Sequence, residues 1–161
     1  MSILLVGLNH RTAPLNLRES LALKGDTLRA ALEDLRGLPN VQEAVILSTC
    51  NRLEIYAEGS LDAAAQIEQL IAQWGRLTLD ALRPHLFYLE GEAAVQHLLR
   101  VAAGLESVIL GETQVLGQVA DALEIAHSSS GAILSHLFAE AVHTGKRARS
   151  ETEISRHSTS V

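Results

Sequence analysis

Short blocks of apolar residues, separated by polar segments, occupy the first 90 residues of the chain. Continuous apolar runs of strand length alternate with segments in which apolar residues recur at helical spacing. Gly37 and Pro39 end the clearest of the predicted helices. Asn16 is expected to cap the first helix and Asp26 the second. The predicted elements are a strand at 3–8, helices at 15–23 and 26–36, strands at 41–48 and 52–58, a helix from Ser60 or Asp62 to Trp74, a helical turn at 78–83 and a strand at 86–89. Their order, β-α-β-β-α-β, is that of the split βαβ motif and predicts an antiparallel, ferredoxin-like sheet.

From Gly91 onward the pattern contains no strand signal and predicts helices at 91–103, 112–127 and 131–150. The fold class is therefore α+β, with a C-terminal helical extension after the sheet. We expect residues 1–90 to form the core that carries the reactive residues, and residues 91–150 to form the helical part of the same domain. Residues 151–161 are polar, carry a capping-box spacing that begins at Ser150, and are predicted to start a linker or long helix towards further domains.

Length and composition are those of a globular domain with a core built from aliphatic side chains. The chain has 161 residues, of which 47% are hydrophobic and 3% aromatic. No apolar run approaches the roughly 20 residues of a membrane helix, and no secretory signal precedes the first strand. One cysteine cannot form an internal disulfide, so the cytoplasm is the expected location. The net charge of −6 argues against attraction of nucleic acid to the whole surface and leaves room for a local basic patch.

Cys50 lies in "AVILSTCNRLEIYAEG", where two predicted strands meet. A lone cysteine is often a small buried hydrophobic residue, but polar neighbours on both sides favour a strand end with solvent access. Arg52 would share a strand face with Cys50, and two roles are open for it. Its cation could favour the nucleophilic thiolate, or its guanidinium could bind a substrate carboxylate with two hydrogen bonds.

A thiolate nucleophile usually works with a group that handles protons, and the seven histidines are candidates. They are His10, His85, His97, His127, His136, His143 and His157. His97 lies at the border of the apolar stripe of the helix predicted at 91–103, where either a partly buried structural histidine or a functional one fits. His10 follows the first strand in a polar loop and is the second candidate.

The segment "GLESVILGETQVLGQV" concentrates short polar side chains but fits neither a Walker A nor a dinucleotide-binding glycine pattern. It can be a loop with a helix cap, or the wall of a polar pocket. The side chains concerned are Ser107, Glu112, Thr113, Gln114 and Gln118. Further along, the cations Lys146, Arg147, Arg149 and Arg156 are expected on a solvated helix face near its C-terminus, and a phosphate-binding role for them has little support.

Four segments, in this order and spacing, resemble the N-terminal catalytic part of glutamyl-tRNA reductase. They are "GLNHRTAPLNLRE", "STCNRLEIYA", "HLLRVAAGLESVILGETQVLGQV" and "KRARSETEI". The resemblance covers essentially the whole chain, and the second and third segments are each specific. It implies an enzyme that uses NADPH to reduce the glutamate esterified to its tRNA to glutamate-1-semialdehyde, which leads to 5-aminolevulinate and tetrapyrroles.

By position, the resemblance makes Cys50 the nucleophile that accepts the glutamyl group as a thioester, and makes His97 a histidine required for activity. The implied substrate-binding residues are Thr49, Cys50, Asn51, Arg52, Ser107, Glu112, Thr113, Gln114 and Gln118. Arg52 is expected to recognise the glutamate side chain and so to disfavour glutamine. No metal is expected.

The family continues into an NADPH-binding Rossmann domain and a helical dimerisation domain, and no dinucleotide fingerprint occurs in this chain. We therefore expect the fragment to form the acyl-enzyme but to reduce it inefficiently. The resemblance implies glutamyl-tRNA as the substrate, glutamate-1-semialdehyde aminomutase as the protein that receives the product, and a homodimer for the full-length protein. The fragment itself could be a monomer, and no membrane partner is expected.

Two other functions remain open on the residues alone. In a cysteine acyl-hydrolase, Cys50 and His97 would act as a pair and water would accept the acyl group. In a module that binds tRNA or a protein without catalysis, Cys50 would be structural. The first would turn over activated esters without a nicotinamide cofactor, and the second would be indifferent to Cys50→Ser.

Overall fold

The computed structural model of the protein describes residues 1–156, and its sheet has the predicted topology. Four strands lie in the order β2-β3-β1-β4, and every neighbouring pair is antiparallel. The strands are β1 (Ser2–Asn9), β2 (Val41–Thr49), β3 (Arg52–Gly59) and β4 (Phe87–Glu90). The prediction of an antiparallel split βαβ sheet is therefore confirmed, with strand bounds within two residues of those expected.

The connections between the strands contain short helices that cover one face of the sheet. They are α1 (Leu15–Ser20), α2 (Asp26–Arg36), α3 (Ala63–Gly75), α4 (Leu79–Leu82) and a 3₁₀ turn (Arg83–His85). The predicted caps were wrong, because Pro14 and Gly25 occupy the two N-cap positions and Asn16 and Asp26 lie inside their helices. The apolar stripe of α2 is buried as its spacing indicated.

The three helices after residue 91 cover the opposite face of the sheet. They are α5 (Glu92–Ala102), α6 (Gln114–Ile125) and α7 (Ala132–Glu151). Tyr56 of β3 meets Phe138 of α7 edge-on, with ring centroids 5.2 Å apart. Because helices lie on both faces, every residue of β3 is buried, including Arg52, Glu54 and Glu58. The charged groups of Arg52 and Glu54 must consequently find partners inside the protein.

The loop between α5 and α6 is closed at its base by a hydrogen bond from Gly111 N to Gly104 O of 2.9 Å. Both glycines have positive φ, 74° and 83°. A Cβ on Gly111 would clash with the Ile154 carbonyl oxygen, so no larger residue fits there without a shift. This packing holds the polar segment around Ser107 in place beside the sheet.

The end of the chain differs from its prediction in two respects. Ser150 lies inside the last turn of α7 and caps no helix. Arg149 is half-buried rather than solvated, and its guanidinium donates to the carbonyls of Ala102 (2.6 Å), Gly145 (3.0 Å) and Glu112, because α7 packs across the end of α5. Of the predicted linker at 151–161, residues 157–161 lie outside the described part, as does His157. Across residues 1–156, no helix is both long and apolar enough to cross a membrane.

Candidate active site

Cys50 lies in the turn of the β2–β3 hairpin. Thr49 pairs with Arg52 in the ladder, so Cys50 and Asn51 form the two-residue connection. Thr49 Oγ1 accepts from the Asn51 N–H at 3.2 Å, and Arg18 Nη1 donates to the Cys50 carbonyl at 3.1 Å and to Asn51 Oδ1 at 3.2 Å. These hydrogen bonds hold the turn, and Cys50 is exposed to solvent.

The expectation that Cys50 and Arg52 share a strand face was wrong, because Cys50 belongs to the turn and not to a strand. Arg52 is the first residue of β3, and its side chain, 2% exposed, points into the protein. The guanidinium is therefore fixed by buried partners and is not a freely moving cation beside the sulfur.

A small cleft brings the hairpin turn together with the polar segment before and within α6. Thr49, Cys50, Asn51 and Arg52 line one side. The other side is lined by Ser107, Glu112, Gln114, Val115 and Gln118. We call this the polar cleft. Eight of the nine substrate-binding residues predicted from the sequence thus meet around one space, although Arg52 is 55 or more positions away from the second group in the sequence.

Thr113 and His97 do not line the polar cleft. Thr113 is exposed at the N-cap position of α6, and its side chain makes no capping hydrogen bond. Glu112 caps the helix instead, since its Oε1 accepts from the Val115 N–H at 3.0 Å. Both readings of this segment therefore hold for Glu112, which caps a helix and also faces the polar cleft.

A buried carboxylate, Glu54, lies beneath the polar cleft and gathers three side chains. Its Oε1 accepts from Arg52 Nη1 at 2.8 Å, and its Oε2 accepts from the Tyr56 hydroxyl at 2.8 Å. His97 Nε2 lies 2.9 Å from the same Oε2. Glu54 is 0% exposed and the His97 side chain 12%, and the imidazole packs against Phe87 with centroids 5.3 Å apart. His97 is thus linked to the β2–β3 hairpin through Glu54 and Arg52.

These contacts determine the charge of the cluster. Burial alone would raise the pKa of Glu54, but the hydrogen bonds and charges of His97 and Arg52 outweigh it and leave that pKa below its ordinary value. Burial, together with the adjacent Glu54 carboxylate, raises the pKa of Tyr56 well above its usual value. Glu54 is consequently an anion and Tyr56 a neutral donor at neutral pH.

A second carboxylate, Glu106, joins the loop before α6 to the same network. Its backbone carbonyl accepts from Arg52 Nη2 at 2.8 Å, and its side chain pairs with Arg100 at 2.8 Å and with Arg11. Burial would raise the pKa of Glu106, but the hydrogen bond from Arg100 and the nearby positive charges leave it lowered. Arg52 is therefore a bridge between the hairpin and the loop that carries Ser107.

His10, the second histidine candidate, lies beside these arginines. Its Nδ1 is buried and has no hydrogen-bond partner among residues 1–156. Desolvation lowers the pKa of His10, and the positive charges of Arg52, Arg11 and Arg18 lower it further. The ring is accordingly neutral at neutral pH.

Sequence reasoning missed Glu54, Glu106 and Arg18 as parts of this site. A signal existed for Glu54, because it alternates with Arg52 and Tyr56 on one face of β3. Nothing local indicated the other two. Arg18 comes from α1, and Glu106 lies 54 residues from its partner Arg52.

Metal sites and dinucleotide sites each require a recognisable set of residues. Within residues 1–156, no three His, Cys, Asp or Glu side chains are grouped so that they could hold a metal ion. The loop after β1, residues 10–14, contains no glycine and is followed by the six-residue α1, so it does not fit a dinucleotide pyrophosphate.

Comparisons with known proteins agree on one family. The family described as "Glutamyl-tRNAGlu reductase, N-terminal domain" matches residues 6–152. Glutamyl-tRNA reductase of Acaryochloris marina is 44% identical over 158 residues, covering 96% of this chain and 36% of that protein. The enzyme of Geobacillus kaustophilus is 46% identical, covering 100% of this chain and 36% of that protein.

Among solved structures, glutamyl-tRNA reductase from Methanopyrus kandleri matches with a TM-score of 0.81 and 33% sequence identity. The match covers 98% of this chain and 37% of the other. The chain thus spans little more than a third of the length of the relatives it matches.

Proposed function

The chain belongs to the glutamyl-tRNA reductase family, as its N-terminal domain, and on this basis we propose that it performs the acyl-transfer step of that enzyme. The Cys50 thiolate attacks the carbonyl carbon of the ester that joins glutamate to the terminal ribose of tRNA. A C–S bond forms, the C–O bond to the ribose breaks, and the leaving ribose oxygen takes up a proton. The product is a glutamyl thioester on Cys50 and free tRNA.

A thioester suits the following reduction, because its carbonyl is more electrophilic than that of an ester and its thiolate leaves readily. The reduction to glutamate-1-semialdehyde uses NADPH and is proposed for the whole protein. No residue of this chain is assigned to it. For the whole protein we also propose a homodimer that passes the semialdehyde to an aminomutase, and a cytoplasmic location.

The observation that carries the proposal is the position of the thiol. Cys50 is exposed at a turn held by Arg18, and it borders a cleft whose other wall offers a hydroxyl, two amides and a carboxylate. Such groups can hold the α-amino group of a glutamyl ester and orient its carbonyl. A merely structural cysteine would need neither exposure nor this wall.

Arg52 is proposed to bind the glutamate side-chain carboxylate. A guanidinium has five N–H donors, and two of them are engaged by Glu54 and the Glu106 carbonyl. A substrate carboxylate would share the remaining donors, and its charge would offset the cation that Glu54 partly neutralises. Glutamine offers no charge and would be disfavoured.

His97 is proposed as a proton donor or acceptor. Its Nε2 is engaged with Glu54, so Nδ1 is the ring atom left for proton exchange. The same engagement weighs against a simple Cys–His hydrolase pair, because the imidazole is directed to Glu54 and does not line the polar cleft.

The test is to incubate the chain with tRNA charged with labelled glutamate, quench in acid and analyse the intact protein by mass spectrometry. We expect one glutamyl group, mapped to Cys50 and released by hydroxylamine. Cys50→Ser should carry none, while its free energy of unfolding stays within about 0.5 kcal/mol of the parent, since the side chain is exposed. Equal labelling of both proteins would refute the nucleophile. In the full-length protein with NADPH, release of free glutamate without semialdehyde would favour a hydrolase.

A further inference from the structure

Cys50 borders a second cleft besides the polar cleft. This second cleft lies between α1 and the end of β2, and we call it the α1 cleft. It is lined by Leu15, Arg18, Glu19, Ala22, Lys24, Ser48, Thr49 and Cys50. Thr49 and Cys50 are the two residues common to both clefts. Cys50 thus borders two spaces whose remaining lining residues differ.

The cations of the α1 cleft have no carboxylate partners in the described part of the chain. Arg18 donates only to neutral oxygens, those of Ala13, Cys50 and Asn51. Lys24 is exposed, and its ammonium makes no hydrogen bond or ion pair within residues 1–156. Eight other cations of this acidic protein do pair with carboxylates: Arg11, Arg29, Arg36, Arg52, Arg83, Arg100, Arg147 and Arg156.

Two unneutralised cations facing one cleft favour an anionic ligand there, although Glu19 also lines it. Part of the lining is apolar, and Leu15 is 56% exposed. Single-stranded nucleic acid offers groups that match both features, because its flat bases can pack against an apolar wall while its phosphates lie near the cations. The glutamyl group, in contrast, matches the hydroxyls and amides of the polar cleft.

The acyl carbon attacked by Cys50 bears two substituents, the glutamyl chain and the departing ribose oxygen. Since Cys50 borders two clefts, each substituent can be assigned to one of them. We propose that the α1 cleft binds the 3′-terminal nucleotides of the aminoacylated RNA, with Lys24 and Arg18 near their phosphates. This assignment rests on the proposed acyl transfer, which it deepens.

The first experiment compares two acyl donors on Lys24→Glu and on Lys146→Glu. Lys146 is the matched control, an exposed lysine on α7 outside both clefts. The rate of Cys50 acylation is measured with glutamyl-tRNA and with a small glutamyl thioester that lacks any nucleotide. We expect Lys24→Glu to lower the preference for the tRNA donor about tenfold, the effect of losing one charge-assisted hydrogen bond. Lys146→Glu should keep the parental preference.

Salt dependence gives a further readout. A contact between Lys24 and a phosphate of a single strand contributes about 0.7 to the slope of log affinity against log salt. The slope for tRNA should therefore decrease by about this amount in Lys24→Glu and be unchanged in Lys146→Glu. An unchanged donor preference and slope in Lys24→Glu would overturn the assignment.

The second experiment does not depend on acyl transfer. The trinucleotide CpCpA, the 3′ end common to tRNA, is added while Cys50 is alkylated with iodoacetamide. An occupied α1 cleft should slow the alkylation in the parent and in Lys146→Glu but not in Lys24→Glu. Equal protection in all three proteins would place the nucleotide elsewhere and refute the proposal. Protection that depends on Lys24, without acylation by glutamyl-tRNA, would uphold the cleft and refute the proposed acyl transfer.

Discussion

Replacing Glu54 with glutamine tests whether the buried cluster beneath the polar cleft is organised by one negative charge. The carboxylate is 0% exposed and accepts from Arg52 and Tyr56, with His97 at 2.9 Å. An amide keeps the shape, but it replaces one acceptor oxygen with a donor and leaves the Arg52 cation, 2% exposed, without its counter-charge. Removing one partner of a buried ion pair costs about 3–5 kcal/mol, and because the amide retains some hydrogen bonds we expect about 3 kcal/mol.

Urea denaturation followed by far-UV circular dichroism and by the fluorescence of Trp74, the single tryptophan, measures this loss. Glu58→Gln is the matched control, since Glu58 lies on the same face of β3, is 8% exposed, and its side chain has no partner within residues 1–156. Tyr56→Phe removes one neutral donor and should cost only about 1 kcal/mol. If Glu54→Gln and Glu58→Gln unfolded at the same urea concentration, the charge of Glu54 would not organise the cluster.

The pH dependence of the unfolding free energy tests the sign of the charge that Glu54 carries. Since the folded-state pKa of Glu54 is below its ordinary 4.5, its charge stabilises the fold above that value, and the stabilisation is lost as the pH falls further. The difference in unfolding free energy between the parent and Glu54→Gln should therefore be constant around neutral pH and shrink below about pH 4.5. A difference that grew on acidification would contradict the assigned charge.

Two further tests, one of them with a control substitution, address how the structure around the site is held. Gly111→Ala should cost more than about 2 kcal/mol of stability, because φ is +74° and the new Cβ would meet the Ile154 carbonyl. Gly117→Ala, in open space within α6, should instead stabilise the protein by about 0.5–1 kcal/mol. Thermal unfolding of both variants measures the contrast, and similar melting temperatures would refute it. Glu43→Ala should lower the free energy of unfolding in urea by about 1 kcal/mol, since the Glu43 carboxylate accepts from the Ile133 and Leu134 N–H groups at the start of α7. An unchanged free energy of unfolding would show that the contact is not stabilising.

The order and type of the elements could be predicted from the sequence because their signals are local. The period of apolar residues distinguishes strands from helices, and the β-α-β-β-α-β order leaves few ways to pair four strands. The same locality explains the errors at helix starts. Side chains such as Asn16 have capping chemistry, but Pro14 and Gly25 occupy the cap positions.

The polar side chains of the candidate site were also visible in the sequence, whereas their roles depend on packing. Cys50 could be recognised as a polar-flanked thiol, yet only the hairpin turn makes it exposed and separates it from the buried Arg52. The link from Glu54 to His97 joins residues 43 apart, and the cap that Glu43 provides for α7 spans about 90. No periodicity encodes such contacts.

The sequence by itself therefore determined which elements form and which chemical groups are available. The tertiary structure decided which groups meet: that helices on both faces bury β3, that Glu54 becomes a shared counter-charge, and that two clefts border Cys50. The physical reason is that local propensity acts over a few residues, while the partner of a buried charge is set by which surfaces exclude water together.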